Sequence, residues 1–244
     1  MISYSSTYRS KQSELLDDFE LQGADMIAML NDLSRVNQWL GGMNTTLSAL
    51  NDLLGHTAKD TQHALLDIGC GDGEMLRNCA QWGKKHGRNL RLIGVDVNPH
   101  ILKEAQKTAD TTDGMQLLSM NIFDTSAKLP EFDVALCTLF IHHYPEDQIV
   151  LLLNRLLSQS KVGIVVNDLH RSRWAFHLFG MFSKLFLRSK IAKHDGLVSI
   201  ARGFKRKELK HLSEQIEGVH RIRWRWAFRY QWIIKKSVQT PKSK

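Results

Sequence analysis

Little in this sequence marks an export or membrane-spanning route. No run of about 20 uncharged apolar residues occurs, which speaks against a spanning helix. The opening, MISYSSTYRSKQSE, lacks the apolar core of a signal peptide. Cysteine is scarce. Cys70, Cys79 and Cys137 form neither a metal-ligand spacing nor a disulfide framework. Each reads as a small buried apolar residue in a reducing compartment, so the expectation is a cytoplasmic protein with no metal site. Only four prolines occur, and there is no low-complexity tract or fixed-period repeat. At 244 residues and 43% hydrophobic, the chain is too apolar for disorder and suits one globular domain, or one domain with appendages.

Acidic charge is also short, but only in one region. Residues 171–244 hold 19 Lys and Arg against 4 Asp and Glu, while the remainder holds 14 against 21. Such asymmetry fits an anionic partner, a membrane surface or nucleic acid, and equally a solvated basic face.

What is present is a change of period. Residues 1–60 read as a helical cap. Met26, Ile27, Leu30, Leu33, Val36, Trp39 and Leu40 fall at helical spacing before Gly41 and Gly42, and a second helix runs from Thr45 to Leu54. From about Gln62, short apolar runs alternate with helical stretches: HALLDIG, LRLIGVDV, QLLSMNI, FDVALCTLF and KVGIVVNDL as strands. Helices are expected over Glu74–His86, from Pro99, and over Pro145–Leu157. This alternation implies an α/β fold, a doubly wound and mostly parallel sheet covered on both faces, over residues 61–244. After the fifth strand comes a long apolar helical insertion, residues 171–200, expected to act as a lid. A helix over Lys205–Ile216 follows, and HRIRWRWAFRYQWIIKK predicts an antiparallel C-terminal edge.

The stretch ALLDIGCGDGEML puts three glycines where a ligand binds in such a sheet, beyond the first strand's carboxyl end. Bare backbone there can approach a ligand closely, next to a helix N-terminus. A dinucleotide fingerprint would place glycine where Glu74 stands, and a carboxylate beside a pyrophosphate repels it. Asp96 ends the second strand, where it can accept from both hydroxyls of a ribose.

DIGCGDG, GVDVN, MNIFD and FDVALCTLFIHHYP follow one another as in the class I S-adenosylmethionine-dependent methyltransferases, which this chain resembles over Ala64–Asp168. It looks closest to the quinone- and polyketide-modifying branch. The resemblance implies a Rossmann-like seven-stranded sheet and S-adenosyl-L-methionine as cofactor. It assigns Asp67 and the loop Gly69, Cys70, Gly71 and Gly73 to the methionine part, Asp96 to the ribose, Val97 and Ile122 to the adenine ring, Asn121 to its amino group, and Thr138 to the sulfonium. Asn121 stands where the family usually has Asp; an amide oxygen still accepts, and Asp124 could substitute.

The acceptor implied is a small apolar molecule, aromatic in the manner of a phenol, quinone or polyketide, methylated on oxygen before carbon. A base helps if the nucleophile carries a proton. His143 and His170 are the catalytic candidates, with His142 and with His194 of the HDG sequence, expected in a pocket-closing loop, as further histidines. In Trp174–Leu187 ten of fourteen residues are apolar, which fits a lid over the acceptor, an interfacial helix on an anionic membrane, or core packing. The rivals are an RNA-modifying methyltransferase, a nicotinamide-dependent oxidoreductase and a silent cofactor-binding module. No Asn/Asp-Pro-Pro-aromatic run and no Pro-Cys nucleophile favours base methylation.

Overall fold

A computed structural model describes residues 2–109 and 115–237. Seven strands form one sheet in the order β3-β2-β1-β4-β5-β7-β6. The parallel strands are β1 (Gln62–Ile68), β2 (Asn89–Asp96), β3 (Met115–Ser119), β4 (Val134–Thr138) and β5 (Gly163–Leu169). The hairpin β6 (Val219–Arg225) and β7 (Arg229–Lys235) closes one edge, with β7 antiparallel to β5. This is the mostly parallel sheet with an antiparallel edge that the alternation predicts. Strand order reverses between β1 and β4, so the crevice opens at their carboxyl ends.

The apolar strands are continuous because both faces are buried. On β1, Ala64, Leu66 and Ile68 enter one core layer and Leu65 the other. Truncating Leu65 to Ala is expected to cost about 2–5 kcal/mol. Helix α1 (Gly23–Trp39) and α2 (Gly42–Leu54) come from the N-terminal segment. The first crossover helix, α3 (Glu74–His86), shows how local sequence sets its ends. Gly73 enters it at φ +76° and Glu74 sits against the helix N-terminus. Lys84, Lys85 and His86 fill its last turn, and Gly87 at φ +63° returns its N–H to Gly83 and Lys84. Helices α4 (Pro99–Ala109) and α5 (Glu146–Gln159) complete the crossovers.

Three expectations shift. β3 stops at Ser119, short of Ile122, because Asn121 turns the chain: its Oδ1 accepts from Phe123 N–H at 3.0 Å and its carbonyl from Asp124 N–H at 3.0 Å. The insertion is two helices, α6 (Arg173–Phe186) and α7 (Lys190–Arg202), each capped by a serine: Ser172 accepts from Ala175 N–H and Ser189 from Ala192 N–H. The HDG sequence is not a loop but the middle of α7. Helix α8 (Arg206–Ser213) follows.

The basic third is also partly internal. Arg171, Arg202 and Arg229 are buried. Arg171 forks onto Glu208 at 3.0 and 2.5 Å and donates to Gly203 O at 2.7 Å. On β6, Arg221 and Arg223 both pair with Asp52 of α2.

Candidate functional site

A cavity of about 540 Å³ lies at the β1–β4 switch point. Its floor is the glycine loop. Gly69 and Cys70 donate their N–H groups to Val95 O at 2.9 and 3.0 Å, tying the loop to β2. Gly69 has φ +66°, and a Cβ there would stand 2.4 Å from the Phe140 ring. Gly71, at φ +54°, would point a Cβ into open space, the part of the cradle left for a ligand. Gly73 does not line the cavity; it has turned back to start α3.

Asp96 ends β2 with both oxygens oriented: Gly71 N–H donates to Oδ2 at 3.0 Å and Asn98 N–H to Oδ1 at 3.0 Å. Each oxygen keeps a second lone pair for a hydroxyl. Burial raises the Asp96 carboxyl despite those donors. Asp67, on β1, is pushed up to about 8 by burial first and by Asp96 and Asp72 next. Val97, Asn121, Ile122 and Thr138 line the same cavity, and Thr138 Oγ1 lies 3.2 Å from Thr46 Oγ1. Burial pushes the Cys70 thiol far up, so it stays protonated. Asp124 is outside the lining and binds Ser126, so it does not replace Asn121 here. Leu139, after β4, holds φ +53°, a left-handed conformation costly for a leucine. That kink directs the chain from the sheet into Phe140 and the two histidines.

The roof comes from the N-terminal segment rather than from the insertion. Leu16, Asp17, Phe19, Leu30, Leu33, Ser34, Asn37 and Met43 line the cavity, whereas no residue of α6 or α7 does. What α7 does is hold the roof. Asp195 accepts from the Leu15 and Leu16 N–H groups at 2.8 and 2.9 Å, fixing the 3-10 turn Leu15–Asp17. Arg202 donates to Asp17 Oδ2 at 3.1 Å, and Ser34 and Gln38 clamp Glu74 at 2.5 and 2.9 Å.

Of the histidines, only His143 lines the cavity. Its Nδ1 is 2.8 Å from Asp17 Oδ1, and its Nε2 is 3.8 Å from Glu14 Oε2. Asp17 is held down to about 2; burial opposes this, but hydrogen bonds from His143 and the Glu14 N–H, with the Arg202 guanidinium nearby, outweigh it. His142 is fully enclosed, with Nδ1 2.8 Å from Asp168 Oδ1 and Nε2 3.2 Å from Glu14 Oε1. Burial disfavours its cation, yet Asp168 and Glu14 raise it to about 9. The polar atoms of Glu14, His142 and His143 lie within 4.8 Å of one another, and Ser199 Oγ donates to Glu14 at 2.8 Å. His170 is elsewhere. It sits at the β7 edge, accepting from Trp224 Nε1 at 3.3 Å and facing Tyr230, and its pKa is lowered by burial. His194 hydrogen-bonds Asp195 on α7. Sequence reasoning missed Glu14 and Asp17: ELLDD carries no local signal, and only folding brings it 126 and more residues across to the HH pair.

The electrostatics of the cavity select its ligand. Five acidic residues line it, Asp17, Asp67, Asp72, Glu74 and Asp96, with no lysine or arginine among the lining residues. That lining repels a pyrophosphate and suits a ligand carrying sulfonium and ammonium charge. Residues 65–163 match the family model described as a methyltransferase domain. The plantazolicin methyltransferase BpumL, solved with SAH, is 20% identical over 88% of this chain and 95% of its own, with a TM-score of 0.62. An O-methyltransferase family 2 protein from Planctomyces limnophilus, complexed with apigenin, is 16% identical over 89% of this chain and 63% of its own, TM-score 0.59. At these identities the likeness speaks for the fold. No curated protein matches the sequence. Residues 65–163 thus carry a methyltransferase domain, set in a fold shared with structures solved in complex with SAH.

Proposed function

We propose that this enzyme methylates a small apolar, aromatic acceptor of the phenol, quinone or polyketide type, on oxygen in preference to carbon, with His143 as the base. The observation that carries the reading is the juxtaposition of the Asp17–His143 pair at 2.8 Å with apolar walls from Leu16, Phe19, Leu30, Leu33, Phe140 and Tyr144 in one cavity. Neighbours of the same fold are complexed with plantazolicin analogues and with apigenin, both consistent with such an acceptor. When bound, the cofactor supplies an electrophilic methyl group on sulfur, already activated for displacement. Asp67, Asp96 and the glycine loop would hold it, with Val97 and Ile122 against the base and Asn121 at its edge.

The remaining work falls to positioning and to one proton. The cavity walls align the acceptor and exclude water, an effect worth about 7–11 kcal/mol at best. Asp17 accepts the His143 Nδ1 proton, which leaves Nε2 with the lone pair. Nε2 would take the proton of a phenol near pKa 10. The imidazolium so formed stands between Asp17 and Glu14, both held ionised in the fold.

Labelled-methyl transfer over a panel of phenols, quinones and long-chain resorcinols tests this. Turnover on a phenolic acceptor is expected to fall about 10²–10⁴-fold in His143→Gln with cofactor affinity retained. Turnover of His170→Gln is expected to stay near wild type. An unchanged rate in His143→Gln would mean that alignment suffices without a base. Salt-sensitive RNA binding with methylation of RNA would instead support the nucleic-acid rival, which the acidic cavity disfavours.

A further inference from the structure

Helix α6 carries a surface used by neither the core nor the cavity. Its inner face, Ala175, Phe179 and Ser183, packs into the cluster shared with α1 and α7. Its outer face is apolar as well: Trp174, Leu178, Met181 and Leu185 are 73%, 50%, 65% and 76% exposed. At about 100° per residue these four fall within an arc of roughly 60°. Trp39 of α1, also exposed, stacks edge-on to Phe182 at 6.1 Å and Phe186 at 5.8 Å and widens the patch.

Cations border this row on one side. Arg173 and Lys184 follow the same helical spacing, and Arg188 and Lys190 extend the border past the helix end; all are exposed. From residue 171 to 202 the only acid is Asp195, and it is buried against the Leu15–Asp17 turn. Singly exposed apolar residues need no explanation, but four on one helical face with a basic border mark an interaction surface. The charge chooses the occupant. A second copy would bring the same cations to the contact. An anionic bilayer offers acyl chains to the apolar row and headgroups to the basic one.

We propose that α6 lies in the interfacial plane of an anionic membrane and makes this a peripheral membrane enzyme. Helix α1 joins that surface to the site, because Leu30 and Leu33 line the cavity while Trp39 belongs to the exposed patch. The inference rests on the surface and holds whichever acceptor is methylated.

Co-sedimentation of the full chain with vesicles tests it, comparing phosphatidylglycerol mixed into phosphatidylcholine with phosphatidylcholine alone. Binding is expected to the anionic vesicles, weakened at high salt. Met181→Glu/Leu185→Glu should lower it at least tenfold while S-adenosylhomocysteine still raises the melting temperature, which shows the variant folded. Arg173→Glu/Lys184→Glu should abolish the preference for anionic lipid. No sedimentation with either vesicle, or equal binding by the Met181/Leu185 variant, would overturn the proposal. So would a concentration-dependent dimer that the same variant dissociates, because the face would then belong to a second copy.

Discussion

Asp67 shows how burial and neighbouring acids retune a single carboxyl. Burial and two neighbouring acids hold it up to about 8, against an ordinary value near 3.8. The ligand-free fold therefore binds more protons there than the unfolded chain does. By linkage this group costs stability increasingly as pH rises from about 4 through about 8. A bound cation reverses the preference and expels the proton. Calorimetry near pH 7 in buffers of different ionisation enthalpy should show about one proton released as the cofactor binds, a release that disappears in Asp67→Asn. The ligand-free variant should also gain melting temperature relative to wild type at pH 9. Absence of proton release from the wild type would remove the tuned carboxyl. The residues proposed to hold the cofactor could be named from sequence, because Asp67, Asp96 and Thr138 stand at strand ends and the glycines in the turn that follows β1. Asp17 and Glu14 were not, because nothing in a string of residues tells that an N-terminal acid will face a histidine beyond the fourth strand.

At the scale of elements, the cavity's roof is a segment without a framework of its own. The 3-10 turn at Leu15–Asp17 is three residues long and has no buried residue. It is held from outside, chiefly by Asp195 of α7, whose carboxylate takes both the Leu15 and Leu16 amides. Hydrogen bonds to a charged group contribute about 1.5–3 kcal/mol each. Asp195→Ala should therefore release the roof without unfolding the sheet. The expected readout is faster hydrogen exchange at the Leu15 and Leu16 amides, with a raised KM for the acceptor and cofactor affinity near wild type. Unchanged protection would show that Arg9 and Arg202, which also bind this segment's surroundings, suffice alone. The sequence pattern predicted α1, α2 and α3 closely because their apolar spacing and glycine stops are local. It misread HDG as a loop because an Asp and a Gly together look like turn chemistry, whereas here the Asp faces another segment and the Gly accommodates Phe179, which would meet a Cβ at 2.2 Å.

For the molecule as a whole, one sign of pH dependence dominates. His142 is buried between Asp168 and Glu14 and raised to about 9 from an ordinary 6.5. Its contribution is complete below about 6.5 and is lost as pH rises through about 9. Asp67 acts in the same direction over the lower part of that window. The ligand-free chain should melt at progressively lower temperature between pH 6.5 and 9, and His142→Gln should flatten the slope while lowering stability overall. Breaking such a buried pair typically costs about 3–5 kcal/mol. A wild-type melting temperature level across the window would argue against a charged His142. Sequence alone determined the fold class and the crevice at the switch point, because strand periodicity, the glycine turn and the acid ending β2 are short-range features repeated in order along the chain. Tertiary structure decided which histidine meets the cavity, which segment roofs it and which arginines are internal. Those outcomes depend on contacts between residues more than a hundred positions apart, and on which face of each helix is left without a partner.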